Sequence, residues 1–149
     1  MYRFALVLPA VFLLASALPR QDQSSSSAPA QKPGSVVSIP VEAAKTPNPV
    51  KPSAESTARA KRWWTLDCEM CHGKNGDGKG ETAVDMKLKM MDFTNPATLK
   101  ERTDGEIFYI IKNGHNDMPA EGPRIKTEEA WDLVNYVRAF SKGKEEPKQ

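Results

Sequence analysis

The chain has 149 residues, 39% of them hydrophobic and 27% charged, with a net charge of only +2. That length favours one compact domain with tails, and so small a charge gives no electrostatic footprint for nucleic acid. From Ala58 to Lys142 there are 14 Lys/Arg and 14 Asp/Glu, so the basic excess belongs to the flanks and function has to come from a local site.

The N-terminus reads Met1-Tyr2-Arg3, an apolar run from Phe4 to Leu14, then Ala15-Ser16-Ala17. A cationic start, a short apolar stretch and a small-x-small tripeptide are the parts of a secretory signal. A membrane span takes ~20 apolar residues, and Pro19-Arg20-Gln21-Asp22 ends this run early. Residues 1–17 are therefore predicted to be a signal peptide cleaved after Ala17, with a periplasmic or otherwise extracytoplasmic mature protein. Membrane contact enters only if that segment is kept as an anchor.

Residues 18–57 are rich in Ser, Ala, Pro and Lys, with prolines at 29, 33, 40, 47, 49 and 52. Such a stretch buries too little apolar surface to offset its ordering entropy, and it reads as a disordered linker. The tail 143–149 is polar and predicted to fray. The domain predicted between them, 58–142, holds all three Trp, both Cys and both His.

Three helices are predicted in it. The first starts near Ser56 as N-cap, runs through Trp63-Trp64 into Cys68-Glu69-Met70-Cys71-His72, and stops at Gly73. The second follows Thr103-Asp104-Gly105-Glu106, a capping-box pattern, and ends at Gly114. The third begins at Thr127, with Glu128 and Glu129 where the helix dipole favours anions, and continues to Phe140. Ala130, Leu133, Val134, Val137 and Phe140 repeat at the spacing of a buried stripe. No run alternates as a strand does. The fold class is accordingly all-α, with long loops at 73–102 and 115–126 that make sense in so small a domain only if they wrap around something.

An exported chain with two cysteines would ordinarily suggest a disulfide, but the two residues between Cys68 and Cys71 close a loop too small to stabilise much. Two thiols followed at once by an imidazole form instead the attachment signature of c-type haem. Cys68 and Cys71, three apart on a helix, project from one face and can reach the two vinyl groups of one porphyrin. His72 is then the proximal ligand. The rivals are weaker. A thioredoxin-like dithiol wants a preceding strand, and a zinc site wants four ligands where only His115 remains to complete the set.

The sixth iron position could be taken by Met118, His115, Met86, Met90, Met91 or Met70. Met118 is the preferred reading, because Pro119 fixes the backbone behind it in the loop between the second and third helices. Met86, Met90 and Met91 read as core filler.

On these residues the stretch from about Ser56 to Ser141 resembles the class I, monohaem cytochrome c family. Ala60 and Trp64 stand where the family has a small residue and an aromatic. Cys68 to Gly73 matches the attachment motif, and Asn75-Gly76-Asp77-Gly78 matches the loop that follows in many bacterial members. Gly114 through Met118-Pro119 matches the segment with the axial methionine, and Glu128-Glu129-Ala130-Trp131 through Asn135-Tyr136-Val137 matches the last helix. The resemblance implies crossed terminal helices around one haem c, held through Cys68 and Cys71, with His72 and Met118 on the iron. Lys79, and the proline-free stretch Lys87 to Phe93, depart from the family pattern.

The function expected is an exported single-electron carrier, not an enzyme in its own right. Its partners would be redox proteins such as a dehydrogenase, an oxidase or other cytochromes. The alternatives are a dedicated electron-transfer subunit of a periplasmic dehydrogenase or terminal oxidase and, from another class, a haem enzyme or gas sensor with an open sixth position.

Overall fold

Local capping sets where the helices begin. In the computed structural model, which describes residues 38–142, helix α2 spans Ala54–Trp63 with Ser53 as its N-cap. The Ser56 N–H donates to Ser53 Oγ (3.1 Å) and the Ser53 N–H donates to Ser56 Oγ (2.8 Å). Ser56 was expected as the cap; it is the third residue of the helix and returns the bond. Ser53 wins the position because its backbone is extended and both hydroxyls are then used. The predicted signal segment, the first half of the predicted linker (18–37) and the polar tail lie outside the described residues.

Past Trp63 the helix widens. Trp64–Cys68 forms one π-type turn, with the Glu69 N–H reaching back to the Trp64 carbonyl, and α3 (Glu69–His72) completes the motif. A π turn inside an α-helix is rare and tends to occur at functional positions. The loop expected over 73–102 contains one short helix, α4 (Glu81–Asp85), packed against α3. Its start is held by a Gly80 N–H donating to the Cys71 carbonyl (3.2 Å).

Helix α5 (Asp104–Asn113) carries the predicted capping box: the Glu106 N–H donates to Thr103 Oγ1 and the Thr103 N–H to Glu106 Oε2. Helix α6 (Thr127–Lys142) starts where predicted and runs two residues beyond Phe140. Glu129 accepts the Lys126 N–H at its N-terminus, which holds that carboxyl below the usual carboxylate range. Among the described residues there is no strand, only an isolated bridge between His115 and Met118.

The crossing of α2 and α6 is the centre of the core. Ala60 and Ala130 are completely buried, which lets the helices approach closely. Trp64 fills the space beside them, its ring centroid 5.8 Å from Tyr136 and 4.8 Å from Phe140. At the edge of the crossing, Arg59 bonds Asp132 (2.8 Å), Glu128 (2.8 Å) and Glu55 (3.0 Å). Asp132 is 1% exposed, so its pairing with Arg59 compensates a buried charge, whereas the two outer pairs contribute little. Helix α5 joins through Phe108, stacked on Trp131 at 3.9 Å. Arg138 ties α6 to Asp104 and to the carbonyls of Leu99 and Arg102.

The second half of the predicted linker falls among the described residues. Residues 38–53 form a strap containing α1 (Val41–Ala44), which packs against α5. Asn48 Nδ2 donates to the Trp131 carbonyl (3.3 Å) and to Asn135 Oδ1 (3.0 Å), and Asn135 Nδ2 donates to the Val50 carbonyl (2.9 Å). Val50 packs on the core. These bonds and that burial offset the ordering entropy that composition alone suggested would win.

Gly105 makes the close approach possible, since a Cβ there would lie 1.9 Å from the Ala43 carbonyl oxygen. Gly105→Ala should therefore release the strap although alanine favours the helix by ~1 kcal/mol. Limited proteolysis should then cut between residues 40 and 50 much faster than in the wild type. An unchanged cleavage pattern would show that the strap is not held by this contact.

Candidate functional site

Both cysteines are free and half-buried at the end of the α2–α3 helix. Cys68 packs on the core with its thiol 3.9 Å from the Trp63 carbonyl. Burial pushes that thiol up to about 12, and the carboxylates of Glu121 and Asp67 push the same way against Arg124. A thiol so rarely ionised is a poor nucleophile and a poor disulfide former.

His72 sits next to Cys71 with its imidazole stacked on Phe93 (5.0 Å, 24°) and 5.7 Å from Trp64. Desolvation lowers its pKa to about 4, so the ring is neutral at physiological pH. Its Nδ1 is buried without a hydrogen-bond partner. The loop following the motif is hooked to it through the Gly78 N–H, which donates to the His72 carbonyl (2.8 Å). That loop also brings Phe93 under His72 by a Phe93 N–H bond to the Gly76 carbonyl (2.7 Å). Phe93 was not singled out in the sequence; its ring meets His72 across 21 positions of the chain.

The Met118 loop leaves α5 at Gly114, whose φ of +77° is in the left-handed region. A Cβ there would also meet the Met118 carbonyl at 2.7 Å, so only glycine fits. His115 and Met118 exchange backbone bonds (3.0 and 2.9 Å) around Asn116, itself at φ +52°. Met118 is half-buried against the same core cluster as Cys68 and Phe108. His115 lies beside it, half-buried, with Nδ1 buried and unpartnered.

The other methionines fare differently. Met86 and Met91, expected in the core, are 64% and 43% exposed, and Met70 is exposed too. Met86 is the C-cap of α4 and Met91 lies in the loop before Phe93, both side chains in solvent. Met90 is half-buried.

Two free thiols, a half-buried neutral imidazole lacking a partner at Nδ1 and a half-buried thioether are donors of the kind that suit a haem. No group of three His, Cys, Asp or Glu suited to a bare metal ion exists among the described residues.

Sequence comparison matches residues 55–137 to the family described as cytochrome c oxidase, cbb3-type, subunit III. Among solved structures, a chain of the Kuenenia stuttgartiensis reducing HAO-like protein complex is similar at a TM-score of 0.55 and 24% identity, over 63% of this chain and 47% of that one. The chain thus spans about half the length of that relative. The c-type cytochrome KustC0563 is similar at a TM-score of 0.50 and 24% identity, over 56% of this chain and 98% of its own. No curated protein matches the chain. With 83 of its residues inside the family match, the chain belongs to the cbb3-type subunit III family of cytochrome c domains, a monohaem class I, all-α fold whose work is haem-based electron transfer.

Proposed function

We propose that the protein is an exported single-electron carrier whose haem is bonded through Cys68 and Cys71 and held on the iron by His72 and Met118. The observation that carries this reading is the half-buried His72 next to free Cys71, its ring stacked on Phe93 and its Nδ1 without a partner. When bound, the haem supplies a one-electron ferrous/ferric couple, filled from a reduced donor protein and emptied into an oxidised acceptor.

Each residue has a defined task. Cys68 and Cys71 make cofactor loss difficult, which suits a protein working outside the cytoplasm. His72 offers an unprotonated nitrogen without first having to shed a proton. Met118 offers a thioether, which favours the reduced state and raises the potential. If His72 and Met118 both held the haem, no position would be left for a substrate, and catalysis would occur only within a larger redox complex. Export rests on the N-terminal signal pattern, and no described helix is long and apolar enough to cross a membrane.

A second reading, that the chain is a dedicated electron-transfer subunit, is favoured by its family's description as an oxidase subunit and by a structural neighbour from a multi-protein complex. Co-purification with a dehydrogenase or oxidase would support this over a free carrier.

The test is optical spectroscopy of the haem-loaded protein in both oxidation states. The expected result is a low-spin spectrum in each state, a thioether charge-transfer band in the ferric form and no carbon monoxide binding by the ferrous form. A high-spin ferrous form that binds carbon monoxide would overturn the reading.

A further inference from the structure

The distal loop is fastened at two sides by different means. On the α5 side the Glu121 N–H donates to the Ile111 carbonyl and the Gly122 N–H to that of Lys112. Lys112 Nζ returns to the carbonyls of Gly122 and Ile125, both at 3.3 Å. On the other side stands one guanidinium. Arg124 donates through Nη1 to Asp67 Oδ1 (2.9 Å) and through Nη2 to Glu121 Oε2. Asp67 immediately precedes Cys68, inside the π turn, and Glu121 follows Met118 by three residues.

We infer that Arg124 is a positioning residue: with Glu121 and Asp67 it latches the 114–126 loop to the cysteine-bearing turn and so keeps Met118 at the iron. This rests on the axial assignment made above.

The burial pattern separates this cluster from an ordinary surface pair. Arg124 is half-exposed, but the Glu121 side chain is 6% exposed and that of Asp67 is 19% exposed. A surface ion pair contributes little, whereas removing the partner of a buried carboxylate leaves an uncompensated charge that the structure must relieve. The cheapest relief is for the loop to lift and wet Glu121, which carries Met118 away with it. The same three side chains bear on the Cys68 thiol, so the latch lies at the attachment site. Among the ion pairs of the described residues, Arg124–Asp67 alone joins this loop to the segment with the cysteines.

The experiment uses the haem-loaded full chain with Arg124→Met, which keeps the apolar stem, Asp67→Asn, which is isosteric, and Arg124→Lys. The readouts are the thioether band, the alkaline pH at which it disappears, the reduction potential and carbon monoxide binding. In Arg124→Met the ratio of methionine-bound to methionine-free protein should fall about tenfold, within the coupling range of interacting neighbours. The band should then vanish at lower pH, the potential should drop and some ferrous protein should bind carbon monoxide. Asp67→Asn should move all four in the same direction by less, and Arg124→Lys should restore part of the loss.

Bands, alkaline midpoints and potentials equal to wild type in both Arg124→Met and Asp67→Asn would overturn the latch while leaving Met118 as ligand. So would a fall in thermal stability with the band retained until unfolding, since that is a merely structural role. A wild-type protein lacking the thioether band would overturn the axial reading and the latch with it.

Discussion

Met118→Ala should leave the haem attached but remove the thioether band, lower the reduction potential and open the ferrous protein to carbon monoxide. Axial ligands set haem potentials over a range of roughly 0.8 V, and loss of a thioether should account for a sizeable part of it. Met86→Ala and Met91→Ala are the matched controls, because both side chains stand in solvent and should leave spectrum and potential alone. Met118→His should remain low-spin with a lowered potential, since imidazole donates more strongly than thioether. Persistence of the band in Met118→Ala would mean that another methionine is the ligand, and Met90, half-buried beside Gly78, would be the next to replace.

The second large effect is on stability. Trp64→Ala removes a side chain 2% exposed that touches the rings of Tyr136, Phe140, Phe93 and His72. Such a truncation costs about 3–5 kcal/mol in a domain whose whole stability is on the order of 5–15 kcal/mol. The melting temperature of the haem-loaded protein should fall on the order of 20 °C. Trp64→Phe should recover most of this. The indole Nε1 is buried without a partner, so phenylalanine loses volume but no hydrogen bond. A loss near 1 kcal/mol in Trp64→Ala would mean that the α2–α6 crossing is held mainly by other contacts. Equal losses for alanine and phenylalanine would instead reveal a bond to the indole nitrogen.

These two residues also show why some features were legible in the sequence and others were not. The Thr103–Glu106 box, the Gly114 stop and the buried stripe of α6 are short-range patterns, and each appears where it was read. The attachment motif is equally local. Features that depend on distant partners left no such trace. Asn48 meets Asn135 across 87 positions and Arg124 meets Asp67 across 57, and nothing near Asn48 in sequence distinguishes it from a linker residue. Ser56 has the right side chain for a cap, but Ser53 takes the position because both hydroxyls then bond. The apolar character of methionine points Met86 and Met91 to the core, yet both are exposed, because burial depends on distant packing that composition does not encode.

The π turn at Trp64–Cys68 has a further consequence for anyone rebuilding this domain. Each residue of an α-helix advances ~100° around its axis, so one residue accommodated in a wider turn offsets everything after it by about that angle. Ala60, buried in the crossing before the turn, and Cys71 and His72, beyond it, therefore belong to two rotational frames joined by a five-residue coupling. An idealised straight helix grafted through 54–72 would keep one frame and swing the other out of aim. The two faces can be redesigned separately only while that coupling is left in place.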